Sequence, residues 1–153
     1  DPATIPSHNG PDVQRVLPKI DITTSALVFP TTLMHVHVLN LEINRDATEQ
    51  DVLAALGRYP RIRIFSAAEG IASTAEIIEF ARDIGRPRND LWELAVWEES
   101  VKSFGRELFL TQAVHQESIV VPENIDAIRA MTKIEGNPDV SIRATDESLG
   151  IGR

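Results

Sequence analysis

The segment 33–43 constrains the fold most, because it is a long apolar run that contains two histidines. Side chains in a β-strand alternate between the two faces, so His35 and His37 point to the same side, together with Leu39 and Leu41. Burying an imidazole on an apolar face costs free energy unless the ring has a hydrogen-bonding partner, and a functional site is one way to supply such partners. The segment therefore predicts a β-strand that carries a candidate site on one face.

The two histidines allow three interpretations. Two imidazoles on one strand face can share a metal ion, and the spacing of His35, His37 and Glu42 matches the start of the cupin metal motif. However, Glu42 has the opposite parity, and neither the expected glycine nor a later histidine motif follows. A hydrogen-bonded structural role for one ring is the second interpretation. We favour the third, in which one ring is a general acid or base, and we assign no metal site.

The rest of the chain alternates between strand and helix signals. The predicted strands span 19–29, 33–43, 61–65, 91–97 and 108–114, and the predicted helices span 48–58, 73–85 and 122–131, with a helical turn at 12–16. Capping boxes at Thr48 and Ser73 begin two of the helices, and the residues beyond 136 are predicted to form a polar tail. This order predicts an α+β domain with a mixed, largely antiparallel sheet and helices on one face.

Composition excludes several classes of protein. The 153 residues include no cysteine, so the chain itself holds no disulfide, thiolate metal site or thiol nucleophile. The net charge of −8 argues against a nucleic-acid partner. The longest apolar stretch, 26–43, is interrupted by Pro30 and both histidines, so no membrane span is predicted.

Two further segments carry polar side chains that suit a binding site. In the segment 7–12, the His8 imidazole, the Asn9 amide and exposed backbone N–H groups could hold a phosphate, with a plain loop as the alternative. The segment 115–118 lies between an apolar strand and a helix start, where it either lines a cleft or forms a solvated strand end.

A series of short stretches, in order along nearly the whole chain, matches one known family. They are IPSH at 5–8, GPDVQ at 10–14, PTTLMHVH at 30–37, STA at 73–75, IIEFARD at 77–83, AVW at 95–97, QAVHQES at 112–118, VVPENIDAIRAM at 120–131 and SLGI at 148–151. With these stretches the chain resembles the archaeal-type, or type II, phosphorylating glyceraldehyde-3-phosphate dehydrogenase, in its C-terminal catalytic domain.

The resemblance implies that this chain is one part of an enzyme and that the activity also requires an N-terminal part. Residues 1–153 would be a partial catalytic domain, with the dinucleotide-binding domain and the nucleophilic cysteine segment upstream. The enzyme would oxidise glyceraldehyde 3-phosphate to 1,3-bisphosphoglycerate with inorganic phosphate and NAD or NADP, bound mainly by the absent domain. A cytoplasmic homotetramer is implied, and the isolated chain is expected to be inactive.

The resemblance also implies roles for individual residues. His37 is the first choice for the catalytic base and His35 the second. His8 falls where the family has a histidine pair beside the phosphate groups, and Asn9 replaces the second histidine of that pair.

Asn124 and Gln116 are expected near the nicotinamide end of the cofactor. The alternative of a different class is a non-catalytic domain for oligomerisation or for binding a phosphate ligand, which would keep the fold without the reaction.

Overall fold

The computed structural model describes residues 5–31 and 33–152. These residues form two compact units, divided after residue 31. The first unit contains the helix α1 (Asn9–Val16), which is longer than the predicted turn at 12–16. The second unit contains the sheet and the other helices.

The strand predicted at 19–29 is not formed, and apart from one isolated bridge residue this part of the first unit is irregular. Its Thr24 is instead tied to the residues around the start of α1. The backbone N–H of Ser7 donates to the Thr24 carbonyl (2.8 Å), and that of Gly10 donates to the Thr24 hydroxyl (3.0 Å). Alternating apolar residues favour a strand only where a neighbouring strand completes the backbone hydrogen bonds.

The second unit is built on a mixed sheet of five strands. They are β1 (Met34–Glu42), β2 (Ile62–Phe65), β3 (Leu94–Trp97), β4 (Lys102–Phe104) and β5 (Glu107–His115). The order is β1-β5-β3-β2, and β4 pairs with β5 beside this path. Among the strands of the described residues, only the pair of β2 and β3 is parallel, so the predicted mixed and largely antiparallel sheet is confirmed.

In the part of the second unit that the structure describes, four α-helices accompany the sheet. They are α2 (Glu49–Leu56), α3 (Thr74–Asp83), α4 (Val121–Thr132) and α5 (Pro138–Leu149). The predicted caps are present, because Thr48 accepts the backbone N–H of Asp51 and Ser73 accepts that of Glu76. Within the described ranges, none of the helices is long and apolar enough to cross a membrane.

Helix α5 corrects the prediction of a polar tail. The Asn137 side chain accepts the backbone N–H of Asp139 (3.0 Å), Pro138 occupies the first turn, and Gly150 ends the helix with a φ of 68°. These are ordinary start and stop signals for a helix, although the segment between them is mostly polar.

The core lies on both faces of the sheet. One cluster joins α3 to the sheet through Met34, Phe65, Ile77, Ala81, Leu91, Ala95 and Ala113. The other joins α2 to the sheet through Val52, Val96, Val101, Leu108 and Leu110. Because Ala95 and Val96 are consecutive in β3, the two clusters lie on opposite faces. The α+β class is confirmed, but α2 covers the face that was expected to carry no helix.

An arginine before β2 ties the sheet to α4 and α5. The Arg61 guanidinium contacts Glu123 (2.7 Å), Asp126 (2.7 Å) and Asp146 (2.8 Å). Burial alone would lower the pKa of Arg61, but the hydrogen bonds that its guanidinium donates to Asp146, Asp126 and Glu123 outweigh it and hold the pKa above its ordinary value. Three carboxylates therefore share this one cation.

We expect Arg61→Met to lower the free energy of unfolding by about 2 kcal/mol, because it leaves the largely buried carboxylates of Asp126 and Asp146 without a cation. Urea unfolding followed by circular dichroism measures the change. Arg58→Met, at an exposed position nearby, is the matched control and is expected to change the value by less than about 0.5 kcal/mol. Equal losses in the two variants would contradict the account.

Candidate active site

The histidine pair lies on β1, an edge strand of the sheet. His35 and His37 occupy one face, as the alternation predicts, and they lie opposite Val114 and Gln112 of β5. His35 is exposed, whereas His37 is half-buried. The two rings therefore share a face but differ in their access to water.

A glutamine from β5 contacts the more buried ring. The side-chain Nε2 of Gln112 lies 3.2 Å from Nδ1 of His37, within hydrogen-bonding distance. The two residues face each other in the antiparallel ladder, which places their side chains next to each other. Sequence reasoning missed Gln112. The signal was a polar residue among the apolar side chains of one β5 face, but its partner depends on the register of two distant strands.

Burial lowers the pKa of His37, and the neighbouring His35 lowers it further by charge repulsion. A histidine with a lowered pKa is neutral at pH 7 and has a free lone pair. The His35 ring makes no hydrogen bond or ion pair with any residue in the described ranges. The geometry thus supports the choice of His37 as the base, which stays a prediction.

The His37 ring is expected to titrate below pH 6.5, its ordinary value, and His35→Asn is expected to raise its midpoint. A lowered pKa means that the unfolded chain binds a proton that the folded chain does not. The contribution of His37 to stability is therefore complete above about pH 6.5 and is lost as the pH falls towards the folded pKa. NMR titration of the ring measures the midpoint, with Val36→Asn on the opposite face as a control. A midpoint at or above 6.5 would contradict the expectation.

The candidate phosphate residues belong to the first unit. His8 directly precedes α1, its side chain is exposed, and it does not cap the helix. The Asn9 amide donates to the Ser7 hydroxyl (3.4 Å). The N–H of Gly10 is occupied by a hydroxyl, and the next residue is a proline without an N–H. Phosphate binding here would depend mainly on the His8 and Asn9 side chains, and it stays a prediction.

The candidate cofactor residues lie beyond β5. Gln116 is in the turn after this strand and Asn124 is in α4, and both side chains are exposed. In the same segment, His115 and Ser118 are buried, and the Ser118 hydroxyl donates to the Leu91 carbonyl (3.0 Å). This segment is thus neither a simple cleft lining nor a fully solvated strand end, because its side chains divide between core and surface.

The metal interpretation finds no complete ligand set. Among residues 5–31 and 33–152, no group of three or more histidine and carboxylate side chains is arranged to hold a metal ion. Glu42 forms an ion pair with Arg106 (2.6 Å) and, by strand alternation, lies on the face opposite His37.

The structure defines an α+β domain in which an imidazole on the edge strand β1 contacts an amide on the neighbouring strand β5. Comparison with known proteins gives the family. The family model for the glyceraldehyde 3-phosphate dehydrogenase C-terminal domain matches residues 2–100. The chain therefore belongs to this family, and the resemblance seen in its motifs is confirmed.

Archaeal relatives match the chain from end to end. Glyceraldehyde-3-phosphate dehydrogenase 2 of Methanosarcina barkeri is 57% identical over 150 residues, which are 98% of this chain and 44% of the relative. The Archaeoglobus fulgidus glyceraldehyde-3-phosphate dehydrogenase is 57% identical over 153 residues, covering 100% of this chain and 44% of the relative. The chain thus spans less than half the length of these relatives.

Proposed function

We propose that this chain is the catalytic domain of a phosphorylating glyceraldehyde-3-phosphate dehydrogenase, with His37 as the general base and His35 as the second choice. The observation that carries the proposal is a half-buried histidine with a lowered pKa, bonded through Nδ1 on the sheet of this family's C-terminal domain. Such a ring accepts protons near neutral pH.

The chemistry follows from a thiol–imidazole pair. The chain has no cysteine, so the thiol comes from outside these 153 residues. His37 takes the thiol proton as sulfur bonds to the aldehyde carbon, which gives a hemithioacetal. After releasing this proton to water, His37 takes the hydroxyl proton as hydride leaves the carbon. An oxygen of inorganic phosphate then attacks the thioester, the carbon–sulfur bond breaks, and 1,3-bisphosphoglycerate and the thiolate are released.

NAD or NADP supplies the hydride acceptor in this reaction. The side-chain amides of Gln116 and Asn124 are exposed and make no hydrogen bonds within the described part of the chain, so they suit the carboxamide of a nicotinamide. His8 and Asn9 suit the phosphate groups, because an imidazole and an amide both donate hydrogen bonds to phosphate oxygens.

We also propose that the working enzyme includes an N-terminal dinucleotide-binding domain and is a homotetramer in the cytoplasm. The share of the relatives that this chain leaves unmatched is long enough for such a domain. On the face of β1 opposite the histidines, Val36 and Val38 are exposed apolar side chains. Exposed apolar patches of this kind suit contacts between subunits.

A chimera tests the proposed function. This chain replaces its matching segment in glyceraldehyde-3-phosphate dehydrogenase 2 of Methanosarcina barkeri, and the unaltered relative is the positive control. We expect the chimera to reduce NAD or NADP when glyceraldehyde 3-phosphate and phosphate are present. We expect the isolated chain to reduce neither cofactor. Activity of the isolated chain would contradict the proposal. A folded but inactive chimera would favour a non-catalytic oligomerisation or phosphate-binding domain.

A further inference from the structure

We propose that Gln112 is the positioning residue for His37. In this arrangement the Gln112 carbonyl accepts a hydrogen bond from Nδ1–H of the His37 ring, so that the ring nitrogen Nε2 is the one that exchanges protons. This inference rests on the proposed role of His37 as the base. It concerns the tautomer of the ring, which the identity of the base alone does not determine.

The backbone of both strands fixes the contact. His37 and Gln112 are direct partners in a ladder that pairs β1 and β5 from Met34 to Glu42. The two side chains therefore cannot slide past each other without breaking the register. Because Gln112 lies against Nδ1 at 3.2 Å, Nε2 is the ring nitrogen left for a reacting group.

The chemistry of the amide selects one orientation. If the amide NH₂ donates to Nδ1, the neutral ring carries its hydrogen on Nε2, which then has no lone pair to accept a proton. If the amide carbonyl accepts from Nδ1–H, the lone pair is on Nε2. The structure places the amide nitrogen of Gln112 3.2 Å from Nδ1 of His37. A half-turn of the amide, which exchanges its oxygen and nitrogen within nearly the same volume, brings the carbonyl to this position.

Only the carbonyl orientation serves both protonation states of a base. The protonated ring carries hydrogens on both nitrogens, and its Nδ1–H still donates to the carbonyl. The NH₂ orientation would then place two donors against each other. With the carbonyl towards Nδ1, the ring gains and loses a proton at Nε2 while the amide stays in place.

A neutral partner also preserves the low proton affinity of the ring. A carboxylate in place of the amide would stabilise the protonated ring and raise its pKa. The titratable neighbour of His37 on this face of β1 is His35, which acts in the opposite direction. From β5, the same face carries Leu110, Gln112 and Val114. Gln112 therefore orients the ring without trapping the proton.

Long-range ¹H–¹⁵N NMR of the histidine rings tests this inference in the 153-residue chain. At a pH above the titration of His37, we expect its Nδ1–H tautomer to dominate. Gln112→Leu is expected to shift the ring towards the Nε2–H tautomer. Gln112→Glu is expected to keep Nδ1–H and to raise the titration midpoint. The matched control, Gln50→Leu on the exposed surface of α2, is expected to leave the spectrum unchanged.

An Nε2–H tautomer in the unaltered chain would overturn the inference, and that measurement needs no variant to fold. An unchanged tautomer in folded Gln112→Leu would also overturn it. A purely structural role for Gln112 would not move the tautomer in this pattern.

Kinetics in the chimera separates this inference from the proposed function. Gln112→Leu is expected to lower kcat on the order of tenfold with little change in KM, a part of the roughly 10²–10⁴-fold that a general base contributes. If His37→Asn leaves kcat unchanged while the tautomer behaves as expected, the catalytic role of His37 fails and the Gln112 pairing stands. If His37→Asn abolishes activity and the Gln112→Leu tautomer is unchanged, only the pairing fails.

Discussion

Replacing His37 with asparagine in the chimera is expected to lower kcat by about 10²–10⁴-fold, the contribution of a general base. Asparagine keeps a polar side chain of similar reach but cannot accept a proton near neutral pH. Binding of the aldehyde is expected to persist, so KM should change much less than kcat. Steady-state assays of nicotinamide reduction measure both constants.

His35→Asn is the matched control for this prediction. It makes the same chemical change on the same face of the same strand, at a ring that is exposed. We expect its effect on kcat to be less than about tenfold, mainly through loss of the charge that lowers the pKa of His37. Equal losses in the two variants would contradict the assignment, and a larger loss at His35 would transfer the role of base to that residue.

The largest expected effect on stability belongs to Arg86. Its guanidinium contacts a Glu93 carboxylate oxygen (2.7 Å) and donates to the carbonyls of Leu149 and Gly150 (both 3.0 Å). The side chains of Arg86 and Glu93 are only 6% and 1% exposed. We expect Arg86→Met to lower the free energy of unfolding by about 3–5 kcal/mol, because it leaves a buried carboxylate without its cation. Urea unfolding of the isolated chain measures this loss.

Two further variants show whether the loss comes from the unpaired charge. In the double variant Arg86→Met with Glu93→Leu, no buried charge is left, so we expect it to be more stable than Arg86→Met alone. Arg82→Met removes an exposed ion pair with Asp83 and is expected to change the free energy of unfolding far less than Arg86→Met does. A double variant less stable than the single one would show that Arg86 acts through packing and its backbone contacts.

Local signals predicted much of the fold. The capping boxes at Thr48 and Ser73 correctly placed the starts of α2 and α3, because a cap depends on residues a few positions apart. The strand predicted at 19–29 failed because alternation shows that a segment is compatible with a strand but does not supply a partner. Helix α5 was missed although Asn137 and Gly150 mark its ends, since its composition is largely polar.

The candidate site was predicted in part. Strand alternation was enough to place His35 and His37 on one face. Two features of the site depend on the pairing of β1 with β5: the partial burial of the His37 ring and its contact with Gln112. These two residues are 75 positions apart in the chain. That register is set by side-chain packing across the sheet, so it could not be read from local patterns.

Single-turnover kinetics of the chimera tests whether this chain supplies the base for phosphate-dependent oxidation of glyceraldehyde 3-phosphate. Without phosphate, we expect one burst of reduced nicotinamide per active site, because the thioester accumulates. Phosphate is expected to convert the burst into continuous turnover, and His37→Asn is expected to abolish the rapid burst. Turnover that does not need phosphate, or a burst of unchanged rate in His37→Asn, would contradict the account.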